Sequence, residues 1–513
     1  ALYKEMLGRI KETDEQVPVL KGGWYYYSRT EEGKAYPIFA RKRTLGANEE
    51  VVLDQNAEAK PYKFYQLGGM EVSPDGNHLA ALVDTSGYED FVLRIRDLRT
   101  GEWLADRVEK LSWGLAWASD NSTVFYVSGD SAKRPDKVWR HTLGAPRNRD
   151  VLVFHEPDVL FNVSIHRSRS GGYVFMESGS FTQDEWRAID AARPASAPVL
   201  IAPRKAGVEY KVDHGGQWFY VLTNRDGATN FKVMRASVGA PAEWQEFIAY
   251  RPEIFVESID VFKEWLVRSE RREGLRRIAV RSMANGAEHE VTFEDAAYGV
   301  GVDENPEYAV NLLRFTYSSL VTPPSVYDYD MATKQRVLKK RQEVLGGYDP
   351  SLYTVERQMA TSGNGTARIP ISIVYKAPLK FDGSRPLLLY AYGSYGATTE
   401  PTFSSARLAL LDRGFIFAIA HVRGGQEMGR PWYDGGKMLN KVNTFSDFID
   451  VATYLVGNGY TSEKNMVAHG GSAGGLLMGV IANIQPKMFR AIVADVPFVD
   501  VINTMLDASI PLT

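Results

Sequence analysis

The 513 residues contain no cysteine. That absence excludes disulfides, thiolate metal sites and a cysteine nucleophile. No apolar run is long enough to span a bilayer, and no charged and apolar leader opens the sequence. An excess of charge of one sign is missing too. A net charge of −3 with a pI near 6.3 gives no electrostatic footprint for nucleic acid or an acidic membrane surface. These absences together favour a reducing, cytoplasmic setting, although the chain begins at Ala1 rather than Met and a removed leader stays open. No spacing of His, Asp and Glu suggests a metal, and nothing calls for a cofactor.

What is present is ordinary globular composition, 44% hydrophobic and 24% charged, in a chain too long for a single core. Residues 1–19 carry Leu2, Met6, Leu7 and Ile10 at helical spacing, then a charged run and Pro18. This reads as the tail of a helix whose beginning lies elsewhere. From residue 20 to 347 the texture is β-rich, with Gly, Asn, Asp and Pro turns. Apolar aromatic runs recur at Gly23–Tyr27, Gly76–Leu82, Ser122–Val127, Gly172–Met176, Gln217–Leu222, Glu264–Val267 and Glu307–Val310. Seven copies at a period of roughly 43 to 53 residues suit the four-stranded blades of a propeller. A sandwich is the competing reading, but it seldom needs so much chain. His141, His155 and His166 are expected to pack between blades or face solvent. The basic run Arg268 to Arg277, interrupted by Glu270 and Glu273, is expected to be a solvated strand-turn-strand.

The periodicity changes at Gly346-Gly-Tyr-Asp-Pro350. Residues 348–513 alternate apolar strands with amphipathic helices, which predicts a doubly wound, mostly parallel sheet covered on both faces. Within it, Asn465-Met-Val-Ala-His-Gly-Gly-Ser-Ala-Gly-Gly-Leu-Leu-Met-Gly479 reads as strand, tight turn and helix. Gly470, Ser472 and Gly474 fit the G-x-S-x-G nucleophile elbow, whose strained turn lifts the serine above the sheet and tolerates only small flanking residues. A tight structural turn is the plain alternative.

Five segments carry a resemblance: Tyr390-Ala-Tyr-Gly-Ser-Tyr-Gly396, His421-Val-Arg-Gly-Gly-Gln-Glu427, Arg430-Pro-Trp-Tyr433, Gly470-Gly-Ser-Ala-Gly-Gly475 and Val496-Pro-Phe-Val-Asp-Val501. They look like prolyl oligopeptidase family serine peptidases. The Ser-Ala of the elbow and the ending Thr504 to Thr513 are most similar to the oligopeptidase B branch. The likeness is dense over residues 385–513 and diffuse before them. It implies a propeller capping an α/β-hydrolase domain, cleavage of short peptides after Arg or Lys, and exclusion of folded proteins. It also implies that Ser472 is the acylated nucleophile, and that the Ala473 N–H and the Tyr392 hydroxyl form the oxyanion hole. By the same resemblance Glu400 lines the pocket for a basic residue preceding the cleaved one, while Thr402 stands where a second carboxylate is usual.

Hydrolases of this class order their triad Ser, Asp or Glu, His, and no histidine follows Ser472. His469 lies on the strand beneath the elbow and is expected to face away. His421 is a formal alternative base. The resemblance therefore implies an acid and a histidine beyond Thr513, and assigns residues 1–19 to an N-terminal helical segment on the hydrolase side whose start is missing. Two rival readings remain: a prolyl-specific peptidase, and a non-catalytic propeller-hydrolase that binds peptides.

Overall fold

The computed structural model describes residues 2–507 and 510; Ala508, Ser509 and Pro511 to Thr513, part of the ending used above, lie outside the described residues. Seven antiparallel sheets follow one another from Asp14 to Arg341, each built from consecutive strands. They form a seven-bladed propeller. Burial follows position in the blade: in Phe91–Asp97 every second residue is buried, the pattern of a strand with one face in the core, whereas His78–Asp84 is buried on both faces. The recurrent aromatic runs are the second strands of their blades, including Trp24–Thr30, His78–Asp84, Thr123–Gly129 and Tyr173–Gly179.

Three expectations need correction. The seventh copy is Leu312–Ser319, not Glu307–Val310. The latter is irregular chain because Glu307 accepts the Gly22 N–H at 2.7 Å and Tyr308 packs on the apolar core between neighbouring blades. The first blade also reaches back before residue 20, since Asp14–Glu15 and Val19–Lys21 both pair with Trp24–Thr30. The basic run does form strand-turn-strand, Trp265–Arg272 then Leu275–Ser282, but it is not solvated. Arg268 and Arg271 are 0% and 2% exposed, held by Glu270 and Glu288 and by Glu257 and Glu400. Their carboxylate partners offset the cost of burying the charge. His141, 1% exposed between Asp106 and Asp150, packs within the ring.

No strand is shared between the first and seventh blades, so side chains close the ring. Lys340 donates to Asp14 at 2.6 Å, and Arg314, held bidentately by Asp328, donates to the carbonyls of Val17 and Pro18 at 3.3 and 2.7 Å. On one mouth of the channel, Arg169 of the fourth blade crosses to Asp260 and to the Asn305 carbonyl. That arginine bars the mouth.

The second unit is a six-stranded sheet in the order Tyr353–Thr361, Arg368–Lys376, Ile416–Ala420, Leu387–Tyr390, Met466–Gly471, Ala491–Asp495. The last four strands are parallel. One face packs Leu387, Leu389, Ala418 and Met466 against Phe448, Val451 and Leu455 of helix Val442–Gly457 and Leu477 and Ile481 of helix Ala473–Ile484. The other packs Phe417 and Ile419 against Leu408 and Leu411 of helix Ser405–Leu411, and the cluster runs on to Leu320 of the propeller. Ser404 caps that helix by accepting the Arg407 N–H. Helix Leu2–Leu7 packs beside it through Glu5 and Arg413. Among the described residues no helix is long and apolar enough to cross a membrane.

Arg314→Ala should open the ring. Asp328 would lose its bidentate partner, an expected cost of about 3 kcal/mol for a pair this enclosed. Denaturant unfolding and protease sensitivity between residues 10 and 21 read the effect; a variant as stable and as protected as the wild type would show that the closure is held elsewhere.

Candidate active site

The strand Met466–Gly471 is flanked on both sides, by Leu387–Tyr390 and Ala491–Asp495. It stands fifth of the six described strands. At its carboxyl end the chain turns through Ser472, with φ 54° and ψ −118°, straight into helix Ala473–Ile484. A non-glycine residue in that region is strained by about 1–3 kcal/mol and persists only where the surroundings enforce it. Here they do. The Ser472 N–H donates to the Asp495 carbonyl at 2.9 Å, and the Ser472 carbonyl accepts from the N–H groups of Gly475 and Phe498, each at 2.9 Å. The flanking glycines are needed for close approach: a Cβ on Gly470 would stand 2.4 Å from the Gly474 carbonyl oxygen, and one on Gly474 would stand 2.8 Å from that of Ala391. The serine is exposed at the tip.

Ala473 is the first residue of the helix, so its N–H has no partner in a preceding turn and lies at the positive end of the helix dipole. Tyr392 follows the strand Leu387–Tyr390, and the same Cβ on Gly474 would reach its Cα at 3.3 Å. Ser472, Ala473 and Tyr392 thus converge on one corner where three backbone segments touch.

Neither histidine of this unit serves the serine. His469 Nε2 pairs with Asp495 at 2.7 Å, and its ring meets Tyr390 edge-on. His421 is 4% exposed, with Nε2 bonded to Ser372 Oγ at 2.8 Å and its carbonyl taken by Trp432. Glu400 does not stand in an open pocket. Arg271 and Thr398 bind its carboxylate, and a Cβ on Gly299 of the seventh blade would stand 3.1 Å from Glu400 Cβ and 2.9 Å from Thr402 Cγ2. Sequence reasoning missed this ion pair because Arg271 and Glu257 lie more than a hundred residues upstream.

The two units meet through charged groups. Arg430 binds Glu209 through its guanidinium and Asn230 through its N–H, at 2.8 Å for the latter. Glu209 and Asn230 sit where first strands begin and third strands begin, which fixes the mouth of the propeller that faces the hydrolase. Equivalent positions in earlier blades, among them Asn162, Gly179 and Asp184, line a cavity of about 1280 Å³ there. Burial and the neighbouring Glu177 push the Asp184 carboxyl up to about 7. Among the described residues no cluster of His, Asp and Glu could hold a metal.

A strained serine at a strand-to-helix turn beneath a propeller defines a class, and comparison with known proteins agrees. The profile described as "Prolyl oligopeptidase, N-terminal beta-propeller domain" matches residues 1–342, and "Prolyl oligopeptidase family" matches residues 401–513. The chain belongs to the prolyl oligopeptidase family of serine peptidases. It is 42% identical to dipeptidyl aminopeptidase BI of Pseudoxanthomonas mexicana, over all of this chain and 73% of that protein. Protease 2 of Moraxella lacunata is 38% identical over all of this chain and 75% of its own length. Among solved structures, oligopeptidase B from Leishmania major superposes with a TM-score of 0.94 at 36% identity, covering the whole chain and 74% of that structure.

Two substitutions test this geometry. Ser472→Gly should exceed Ser472→Ala in stability by about 1 kcal/mol, because glycine relieves the positive φ and returns part of the gain as chain entropy. Equal stabilities would deny the strain. Asp184→Asn tests the cavity. The native carboxyl holds its proton up to about 7, against 3.8 in the unfolded chain, so its contribution to stability is full at low pH and lost as pH rises through about 7. Asp184→Asn should therefore melt a few degrees above the wild type at pH 8 and close to it at pH 4. A difference independent of pH would refute the assignment.

Proposed function

We propose that the protein is a serine oligopeptidase that cleaves short peptides after Arg or Lys through an acyl-enzyme. The observation that carries this reading is the strained, exposed Ser472 at the mouth of a helix, with Ala473 and Tyr392 packed at the same corner. In the reaction Ser472 Oγ attacks the scissile carbonyl carbon, and its proton passes to a histidine. None of the eight histidines of this sequence is in hydrogen-bond contact with Ser472 among the described residues; His421 and His469 are engaged by Ser372 and Asp495. The oxyanion is received by the Ala473 N–H and the Tyr392 hydroxyl, each such donor being worth roughly 3 to 4 kcal/mol. The imidazolium then protonates the leaving amine, and water hydrolyses the ester by the same steps in reverse.

Basic specificity is supported by the likeness to oligopeptidase B and protease 2. Glu400 takes part only by exchanging the guanidinium of Arg271 for that of the substrate. The size limit is supported by the bar at Arg169 and by the cavity that Asn162, Gly179 and Asp184 line on the propeller. The surroundings are taken as cytoplasmic, from the absence of cysteine.

Hydrolysis of matched fluorogenic peptides ending in Arg, Lys or Pro is the direct test, with Ser472→Ala as control. Cleavage after Arg and Lys that vanishes in the control is expected, and Tyr392→Phe should lower kcat by roughly 10²- to 10³-fold. Cleavage after Pro alone would select a prolyl peptidase. Binding of peptides without turnover would select a non-catalytic receptor.

A further inference from the structure

Lys441 occupies an unusual position. It immediately precedes helix Val442–Gly457, whose Phe448, Val451, Ala452 and Leu455 are all fully buried. Its ammonium turns inward and donates to the Gly393 carbonyl and, at 2.6 Å, to Ser394 Oγ. Among the described residues it makes no ion pair with a carboxylate; its nitrogen lies over the ring of Phe445, 5.9 Å from the centroid. Burial alone pushes its pKa down to about 8. A lysine held this way costs stability that an apolar or paired side chain would not. Residues kept at such a cost are held for what they position.

What it positions is narrow. Gly393 and Ser394 are the two residues directly after Tyr392. Gly393 has φ +68°, and a Cβ on it would fall 2.5 Å from Thr444 Cγ2 and 2.6 Å from Val422 Cγ2, so the peptide can lie only one way between helix and sheet. Thr444, one turn along the same helix, donates to the Arg423 carbonyl at 2.7 Å and approaches that of Gly393 at 3.5 Å. Ser394 is 8% exposed and turned toward the lysine. On its other side Tyr392 abuts Gly474 of the elbow helix. The tyrosine is therefore fixed between two anchors, the elbow before it in space and Lys441 behind it.

We propose that Lys441 is a positioning residue for the oxyanion hole: by gripping the Gly393 carbonyl and the Ser394 hydroxyl it holds the Tyr392 hydroxyl at the place where negative charge develops. Lys441 itself touches no reacting atom. This rests on the peptidase reading above, in which Tyr392 is an oxyanion donor. A displacement of about 1 Å in such a group is enough to cost on the order of 10²-fold in rate.

The test is a double-mutant cycle on the complete enzyme, with kcat and KM measured separately on whichever fluorogenic peptide the wild type cleaves. Lys441→Met should lower kcat by roughly 10- to 100-fold while KM changes by less than about twofold, since the interaction it supports matters in the transition state. Introduced into Tyr392→Phe, the same substitution should cost less than about twofold more, because the group it positions is gone. Lys441→Arg, which keeps a cation and donors, should recover most of the loss. Should Lys441→Met fail to fold, Lys441→Gln, checked by thermal unfolding, takes its place. An unchanged kcat, or a full loss repeated in the Tyr392→Phe background, would overturn the proposal. A wild type that cleaves nothing overturns the peptidase reading and this one with it, whereas an active wild type with an unaffected Lys441 variant overturns this one alone.

Discussion

The architecture depends on one close approach, that of the elbow helix to the ends of two neighbouring strands. Gly470, Gly474 and the Ala391 carbonyl stand so near each other that no side chain fits between them. That contact forces the turn between strand and helix into a single residue. The residue forced is Ser472, and its strained φ and ψ are held by backbone bonds to Asp495 and Phe498. Everything that makes the corner chemically useful follows from this compression: the exposed hydroxyl, the uncommitted N–H of Ala473 and the adjacency of Tyr392. Relax it, and the serine becomes an ordinary surface hydroxyl.

Charge plays the complementary part at longer range. The propeller and the hydrolase unit meet through Arg271 with Glu400 and Arg430 with Glu209, in addition to the apolar patch around Leu320 and Phe403. Arg271 is almost wholly enclosed, so its pairing with Glu257 and Glu400 is a condition of its burial and not an ornament of the surface. The same carboxylate that the family resemblance assigns to substrate is therefore also a tie between the units.

Much of this was legible in the sequence. The elbow was readable because its signal is local: glycines, serine and an apolar helix within fifteen residues. Six of the seven second strands were readable because each begins at a turn and carries its own aromatic run. The seventh misled because Tyr308 and Val310 imitate a strand, whereas Glu307 is drawn off to the first blade. The basic run looked solvated because the partners of Arg268 and Arg271 come from Glu257, Glu288 and Glu400, on other strands and another unit. Lys441 gave no signal at all, since a lysine before a helix is commonplace until its nitrogen is seen pointing inward. Long-range pairing leaves no periodicity to read.

The ring of blades has a mechanical consequence. Where a propeller shares a strand between its first and last sheets, widening the ring breaks a ladder of backbone bonds. Here the junction holds Lys340 and Arg314 with their acceptors, and Glu307, which accepts the Gly22 N–H. It behaves as a clasp, not a weld: its bonds are side-chain contacts that can be exchanged for water one at a time. A force that widens the ring would therefore act first on that junction, before any of the seven sheets loses a backbone ladder.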